Sequence, residues 1–141
     1  MHERPLDIYL YALELENAHF YVGQSFEPDE RIAIHMMGKG SAWTRLHPVV
    51  RELDRRSTGA TDWKVAEVAE NQWTLDLMML YGWERVRGGF WCNTCPIQTR
   101  KGLLKHGHTH LVRPGEHESV DASRVRKVLR PSIPAVLPWL P

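Results

Sequence analysis

Two short apolar runs near the beginning of the chain constrain its fold more than any other feature. Residues 8–15 read IYLYALEL and residues 19–23 read HFYVG, with only ENA between them. β-Branched, aromatic and aliphatic residues are typical of strands, and so short a connection joins neighbouring antiparallel strands. The sequence therefore predicts a β-hairpin. Because side chains alternate along a strand, one face of its first strand carries Tyr9, Tyr11, Leu13 and Leu15.

Further segments have the patterns of regular structure. Residues 27–38 (EPDERIAIHMMG) predict a helix, because proline suits the first helical position and Gly38 suits the stop. Residues 49–55 predict a third strand, with a helix as the less favoured alternative. Residues 62–81 predict a long helix with Thr61 as its N-cap and Gly82 just past its end. The glycine-containing segments 38–48 and 82–92 predict loops, and residues 100–106 predict a short helix.

The length of 141 residues predicts one domain with a substantial core. No run approaches the ~20 apolar residues that a membrane-spanning helix needs. Glu3 and Asp7 interrupt any signal-peptide pattern in the first residues. We therefore expect an intracellular, cytoplasmic protein with no membrane partner.

The net charge of +1 conceals an uneven distribution. Residues 1–81 hold 8 Lys and Arg against 13 Asp and Glu, whereas residues 82–141 hold 10 against 4. A basic half is what an electrostatic contact with phosphates needs. A merely solvated basic surface has the same composition, so charge alone leaves both interpretations open.

Four motifs follow one another along residues 8–91. Tyr9-Leu10-Tyr11 is paired with YVG at residues 21–23. The helix with RIAIH, the glycine-rich GKGSAWTRLHP and the segment AENQWTLDLMMLYGWERVRGG come next. In this order the motifs resemble the GIY-YIG nuclease superfamily, with Tyr9-Leu10-Tyr11 in the place of Gly-Ile-Tyr. Tyr9, where the family has glycine, is the departure from the pattern.

The resemblance implies an α+β fold, a small three-stranded antiparallel sheet flanked by helices, and a metal-dependent endonuclease that hydrolyses nucleic-acid phosphodiester bonds. The expected partner is nucleic acid, with DNA favoured. One divalent ion, Mg²⁺ or Mn²⁺, would be bound by one glutamate. A non-catalytic nucleic-acid-binding module that retains the fold is the alternative. Carried over position by position, the catalytic residues are Tyr11, Tyr21, Arg31, His35 and Glu70.

Each of these residue types suits phosphodiester hydrolysis. A glutamate is a hard oxygen ligand for Mg²⁺ or Mn²⁺, and Glu67 is the alternative to Glu70. The Arg31 guanidinium matches phosphate geometry and stays charged. A phenol is a weak base alone, but beside a metal ion and Arg31 the Tyr11 phenol could ionise more readily and accept a proton from water. His35 lies one helical turn from Arg31 and could share the general-base work or bind a phosphate oxygen. Packing and surface roles remain the alternatives for each residue taken singly.

The pair Cys92 and Cys95, followed by His106 and His110, suggests a structural zinc clip. The spacing is C-x2-C-x10-H-x3-H, two residues shorter in the middle than the common zinc-finger spacing. Such ligation would stabilise a loop-rich basic segment. His108 is an alternative ligand. The competing interpretation is that Cys92 ends a buried strand and the histidines are exposed.

Basic residues outside the catalytic set are candidates for nucleic-acid contacts. Lys39 lies in a glycine loop that could surround a phosphate, although a simple connection is the favoured interpretation. Arg124 and Lys127 lie on one side of a basic helix predicted near residues 121–130, which precedes a proline-rich tail. We therefore expect a nuclease-like domain over residues 1–91 and a basic extension over 92–141, packed on the same domain.

Overall fold

The computed structural model of the protein describes residues 7–112 and has an α+β architecture, as predicted. One four-stranded sheet, in the order β3-β1-β2-β4, carries helices on both faces. Its elements are β1 (Tyr9–Leu15), β2 (His19–Ser25), α1 (Pro28–Met36), α2 (Ala42–Leu46), β3 (Val49–Ser57), α3 (Trp63–Tyr81), β4 (Val86–Gly88) and α4 (Pro96–Lys105), with 3₁₀ turns at Trp83–Arg85 and Thr109–Val112.

The predicted hairpin is confirmed. Strands β1 and β2 pair antiparallel from Tyr9 opposite Ser25 to Leu15 opposite His19. In the turn, Asn17 and Ala18 both have φ of 59°, in the left-handed region. Asparagine tolerates this region, whereas alanine adopts it at a cost, and the side chain of Ala18 is buried in the core. Packing thus stabilises a turn whose sequence is not the usual one for a hairpin.

The alternation of side chains along β1 divides the core between the two faces of the sheet. Leu10 and Ala12 face a cluster that includes Trp73 and Leu77 of α3. Tyr11, Leu13 and Leu15 face a second cluster, with Ile32 of α1 and Trp43 of α2. Helix α1 and helix α3 therefore lie on opposite sides of the sheet, each covering one set of β1 side chains.

The expectation of a three-stranded, purely antiparallel sheet is wrong, because segment 82–92 contains β4. This strand pairs parallel to β2, from Phe20 beside Val86 to Val22 beside Gly88. Three residues are too few to show a sequence period, so the strand exists through its tertiary partner. Gly88 permits the close approach, since a Cβ there would lie 2.5 Å from the Val22 carbonyl oxygen.

Because β4 ends beside Val22, it leaves part of the β2 edge uncovered. The β2 residues after Val22, Gly23 to Ser25, pair with β1 but have no partner in β4. At this edge, side chains from both faces of the sheet can approach one another. The chain also reverses direction here, because the backbone N–H of Gly88 donates to the Trp91 carbonyl and the backbone N–H of Trp91 donates to the Gly88 carbonyl.

Arg87, at the centre of β4, is a buried structural residue. Its side chain is 1% exposed and donates to the carbonyl oxygens of Trp83 at 2.6 Å and Asn93 at 2.7 Å. Its guanidinium also lies 4.5 Å from the centre of the Trp43 ring. Burial lowers the pKa of Arg87 to about 10. The arginine therefore connects β4, the following loop and α2.

The helix predictions are largely confirmed, with three corrections. Helix α4 begins at Pro96, four residues before the predicted start at residue 100. Helix α3 begins at Trp63, and its N-cap is Asp62, which accepts from the Lys64 backbone N–H at 2.8 Å, rather than Thr61. The segment 38–48 is not only a loop, because it contains α2. Ser41 caps this short helix by accepting from the Thr44 backbone N–H at 3.1 Å. The glycines and the proline of the segment predict a loop, so the sequence alone did not indicate this helix.

The described residues beyond 91 share the core of the sheet. Leu103 of α4 and Leu111 are buried in the cluster that contains Trp73 and Trp91. The boundary at residue 91 stays a prediction. The predicted basic helix with Arg124 and Lys127 and the proline-rich tail lie outside the described residues.

Within the described part of the chain, none of the helices combines the length and apolar character needed to cross a membrane.

Candidate active site

Tyr11 and His35 form the buried centre of the candidate site. The Tyr11 hydroxyl lies 2.8 Å from His35 Nε2, and each residue is 1% exposed. Burial, and secondarily the charge of Arg31, lowers the pKa of His35 to about 4. The imidazole is therefore neutral at pH 7 and has one nitrogen able to accept a proton.

The α1–α2 connection positions the other side of the His35 ring. Thr44 Oγ1 lies 3.0 Å from Nδ1 and donates its own proton to the Ser41 carbonyl at 3.1 Å, so it can accept from an Nδ1–H. This arrangement places the proton on Nδ1 and leaves Nε2 to accept from Tyr11. The Ser41 backbone N–H also points at Nδ1, from 3.4 Å, which favours the other tautomer; we assign the proton by the shorter contact. Gly40 lies against the ring, where a Cβ would not fit.

Gly23 makes room for the Tyr11 side chain. The two residues are opposite one another in the β1–β2 pair, and a Cβ at position 23 would lie 2.5 Å from Tyr11 Cζ. The phenol ring therefore crosses the β2 backbone at its one glycine. The glycine of the YVG motif is thus explained by a steric requirement of the tyrosine in the first motif.

Tyr21 and Arg31 complete the polar group on the α1 face. The ring centres of Tyr21 and His35 are 4.9 Å apart. Burial, and next the neighbouring Tyr21, raises the pKa of Tyr11 above its ordinary value, while a hydrogen bond and the charge of Arg31 act in the opposite direction. Burial, and next Glu70, raises the pKa of Tyr21 to about 12. Both phenols are therefore protonated at pH 7 in the metal-free protein, so the expected easier ionisation of Tyr11 needs an added cation.

Glu70 reaches the same region from α3, on the opposite side of the sheet. It is 6% exposed, and its Oε1 accepts a hydrogen bond from Gln24 Nε2 at 2.8 Å. Burial raises the pKa of Glu70 to about 7, with smaller opposing contributions from Gln24 and the Gly89 backbone N–H. Gly89, at φ of 51°, lies against Glu70 and Asn71. The Arg-Gly-Gly segment therefore packs directly on the helix that carries Glu70.

An open cleft of about 510 Å³ lies at the uncovered edge of β2. We call it the acidic cleft. It is lined from both sides of the sheet, chiefly by Tyr21, Gln24, Ser41, Glu67, Glu70 and Gly89. Because β4 is too short to cover this edge, the Tyr21 side and the Glu70 side of the sheet meet in one cavity.

The chemistry of the acidic cleft fits one divalent cation. Burial holds the Glu70 carboxyl near pKa 7, and the side chain that hydrogen-bonds it is the neutral amide of Gln24, so a bound cation would stabilise its charged form. Mg²⁺ and Mn²⁺ accept a single protein carboxylate when water and substrate oxygens complete the coordination. Among residues 7–112, no group of three or more His, Cys, Asp or Glu could by itself hold a metal ion. A site with three or more such ligands is therefore not formed within this part of the chain, whereas a site with one glutamate fits.

The structure does not bring the predicted zinc ligands together. Cys92 is exposed and Cys95 half-buried, both as free thiols, and these residues form no ligand group with His106 or His110 in the described chain. His106 instead packs edge-on against Phe90 and Trp91, and His108 against Trp91. Lys39 is exposed on the α1–α2 connection, and Arg124 and Lys127 lie outside the described residues.

Three residues of the site were missed by sequence reasoning. Gln24 holds the Glu70 carboxyl, and Thr44 holds the His35 ring. Trp63 is 56% exposed and lines the acidic cleft. Gln24 directly follows the YVG motif, and this adjacency could have identified it. Nothing in the sequence relates Thr44 to His35.

The fold and the grouping of the candidate residues can both be compared with what the resemblance implied. A mixed sheet flanked by helices is consistent with the GIY-YIG-like fold, although the sheet has four strands. Tyr11, Tyr21, Arg31 and His35 gather on one face of the hairpin, and Glu70 arrives from the long helix.

A stretch of this chain also resembles two curated proteins of Neisseria gonorrhoeae. Over 37 residues, 26% of this chain, it is 46% identical to a protein described as "UPF0213 protein in glnA 3′region". It is equally similar to a UPF0213 protein of strain FA 1090. The match spans 41% of the length of each relative. No family model and no solved structure matches the chain.

Proposed function

We propose that the protein is an endonuclease that hydrolyses nucleic-acid phosphodiester bonds with one divalent metal ion. The observation that carries this proposal is the convergence of Tyr21 and Glu70 in one cleft, from opposite faces of the sheet. The Tyr11–His35 pair adjoins them. The local similarity to UPF0213 proteins, a group related to GIY-YIG nucleases, supports the same class.

Glu70 would hold the ion, and Gln24 would fix the carboxyl orientation through its 2.8 Å hydrogen bond. A bound Mg²⁺ or Mn²⁺ neutralises charge on the phosphate and lowers the pKa of nearby water. Since the pKa of Glu70 is about 7, the carboxyl is already partly ionised at neutral pH. Glu67 lines the same cleft and is the alternative ligand.

The Tyr11–His35 pair would remove the proton from the attacking water. His35 is neutral at pH 7, and its Nε2 faces the Tyr11 hydroxyl at 2.8 Å. Because Tyr11 is buried, the bound substrate would have to bring the water against its hydroxyl; Tyr11 would then take a proton from that water while passing its own proton to His35, which avoids a free phenolate. Thr44 would stabilise the resulting imidazolium by accepting from Nδ1–H.

Arg31 and Tyr21 would contact the phosphate. The charge of Arg31 acts on both phenols and lowers the pKa of each, against the effect of burial. A guanidinium so placed can stabilise the negative charge that develops on the phosphoryl oxygens. Tyr21 has its hydroxyl near Ser41 and lines the cleft, so it can orient a bound phosphate.

The test is cleavage of supercoiled plasmid, branched DNA and single-stranded DNA or RNA with Mg²⁺ or Mn²⁺. We expect wild type to cut at least one of these, Glu70→Ala to lose cutting, and Glu67→Ala, in the same cleft, to retain most of it. All variants are checked for folding by circular dichroism. If only Glu67→Ala lost cutting, Glu67 would be assigned as the metal ligand instead of Glu70. Persistent cutting in folded Glu70→Ala and Glu67→Ala would contradict the proposed metal site.

A non-catalytic nucleic-acid-binding module is the second candidate. Two observations favour it: Tyr9 stands where the family has glycine, and the pKa of Tyr11 is raised. The same experiment separates the two functions, because this module would bind the oligonucleotides with or without metal and cut none of them.

A further inference from the structure

A second cleft, of about 390 Å³, lies between α4 and the segment that follows β4. We call it the basic cleft. Lys101 and Lys105 of α4 line it, together with His106, Phe90 and Trp91. Because the lysines are four residues apart on one helix, both ammonium groups lie on the same face. None of the described residues that line it is acidic, in contrast to the cleft with Glu67 and Glu70.

Phe90 is held in this cleft with its ring accessible. Its side chain is 55% exposed. The rings of Trp91 and His106 contact it edge-on, at centroid distances of 5.0 and 5.3 Å and interplanar angles of 85° and 82°. These contacts fix the position of the ring while it remains partly open to solvent. An accessible aromatic face next to lysines is the combination that binds unpaired nucleotides.

The two clefts are adjacent. Gly89 lines the acidic cleft and Phe90 lines the basic one, so their Cα atoms are about 3.8 Å apart. Asn71, next to Glu70 on α3, accepts a hydrogen bond from the Phe90 backbone N–H at 2.7 Å. The aromatic ring is therefore attached rigidly to the helix that carries the candidate metal ligand. The Gly89–Phe90 peptide therefore joins the two clefts, so a strand that fills the acidic cleft can continue toward Phe90.

We propose that the basic cleft binds an unpaired nucleotide beside the bond that is cut, and that the substrate therefore contains a single-stranded stretch. Phe90 stacks on the base, while Lys101 and Lys105 bind the flanking phosphates. Bases inside a duplex are already stacked on both faces, so stacking on Phe90 favours an unpaired base, which does not first have to be unstacked. This inference rests on the proposed nuclease function, because that function makes the bound molecule a nucleic-acid strand. It concerns the binding of the strand and not its hydrolysis.

The test measures binding of the full chain in EDTA to fluorescent single-stranded DNA, single-stranded RNA and blunt duplex DNA. We expect Phe90→Ala to weaken binding to a single strand by about tenfold. Lys101→Ala and Lys105→Ala should each reduce the slope of log K against log salt by about 0.7. Arg100→Ala, which removes an exposed charge of the same helix outside the cleft, should leave the slope nearly unchanged.

A 2-aminopurine base provides a direct readout of stacking. Wild type should quench its fluorescence in a single strand, and Phe90→Ala should abolish the quenching even at saturating protein. The inference is overturned if wild type binds no single strand, if Arg100→Ala matches the lysine variants, or if Phe90→Ala affects blunt duplex equally. If this binding pattern holds but Glu70→Ala still cuts, only the metal site fails. If Glu70→Ala loses cutting but the pattern is absent, only the basic cleft fails.

Discussion

Tyr11 and His35 form a hydrogen-bonded pair that is shielded from solvent: the phenol oxygen and Nε2 are 2.8 Å apart, and both residues are 1% exposed. A titratable pair in such an environment resists acquiring charge, because the charged form loses its hydration. The His35 imidazole is kept neutral and the Tyr11 phenol is kept protonated. The stability of the fold should consequently depend on the protonation of these buried groups.

We expect His35 to make the protein sensitive to acid. Its pKa falls from 6.5 to about 4 on folding, so the unfolded chain binds more protons between these values. The stabilisation is complete above pH 6.5 and is lost as the pH falls to 4, by about 3 kcal/mol. Urea unfolding from pH 4 to 7 of wild type and His35→Gln measures this, since the difference in unfolding free energy should grow with pH. A constant difference would contradict the buried neutral imidazole.

Glu70 should have the opposite dependence in metal-free protein. Its pKa rises from 4.5 to about 7 on folding, so the native state binds more protons between these values. This contribution is fully present below pH 4.5 and is lost as the pH rises through 7, at a cost of about 3 kcal/mol. Glu70→Gln should gain stability relative to wild type between pH 5 and 8 in EDTA. Glu67→Gln, in the same cleft but with a more exposed carboxyl, is the matched control and should show a smaller gain.

Tyr11→Phe should lower activity far more than it lowers stability. The change leaves His35 Nε2 without its 2.8 Å partner, which costs about 1–3 kcal/mol. Removal of the proposed proton relay should reduce kcat about 10²- to 10⁴-fold. Tyr9→Phe is the control, because it alters the first motif without touching this pair. If Tyr11→Phe cut DNA at the wild-type rate, the relay would be wrong.

Gly23→Ala should displace the Tyr11 ring. The added Cβ would lie 2.5 Å from Tyr11 Cζ, so either the ring or the strand must move, at about 1–3 kcal/mol. Val22→Ala, on the neighbouring β2 position, should destabilise by about 2 kcal/mol without affecting that ring. Thermal unfolding and single-turnover cleavage separate the effects: Gly23→Ala should lose activity at temperatures where both variants are folded. Equal activity would contradict the steric argument.

Arg87→Lys should destabilise the fold by about 2–4 kcal/mol. A lysine cannot reproduce the fork that donates to the carbonyl oxygens of Trp83 and Asn93 while covering the Trp43 ring. Since Arg87 is 1% exposed, the variant should keep its nucleic-acid affinity under conditions where it is folded. Arg85→Lys, two residues earlier in the chain, is the comparison and should change stability little. A loss of affinity greater than the loss of stability would assign Arg87 to the nucleic-acid interface.

The elements with long, regular patterns could be predicted from the sequence. The hairpin, α1, β3, α3 and α4 show alternation or helical spacing between recognisable ends. Helix α2 and strand β4 could not be predicted, for a common reason. Five and three residues are too few for a period, and each depends on distant partners: Trp43 Nε1 of α2 donates to the Phe20 carbonyl, and β4 pairs with β2.

The candidate site was predictable where ordered motifs mark the chain. Tyr11, Tyr21, Arg31, His35 and Glu70 all lie around one region. Their supporting contacts were not predictable, since Gln24 meets Glu70 and Thr44 meets His35 only through tertiary packing. The basic cleft also needed the fold, because Phe90 and Lys105 carry no pattern that places them together.

The pairing of β4 with β2 has a consequence for the order in which the site can form. Phe20 and Val86 are paired although they lie far apart in the sequence, whereas β1 and β2 are joined by a short turn. Closing a long loop is slow and entropically unfavourable, so local contacts form first. The hairpin with both tyrosines can therefore exist early, while Gly89 packs against Glu70 only when β4 docks. A chain emerging from the ribosome would thus form the hairpin with both tyrosines well before the complete cleft, which requires the residues as far as Gly89.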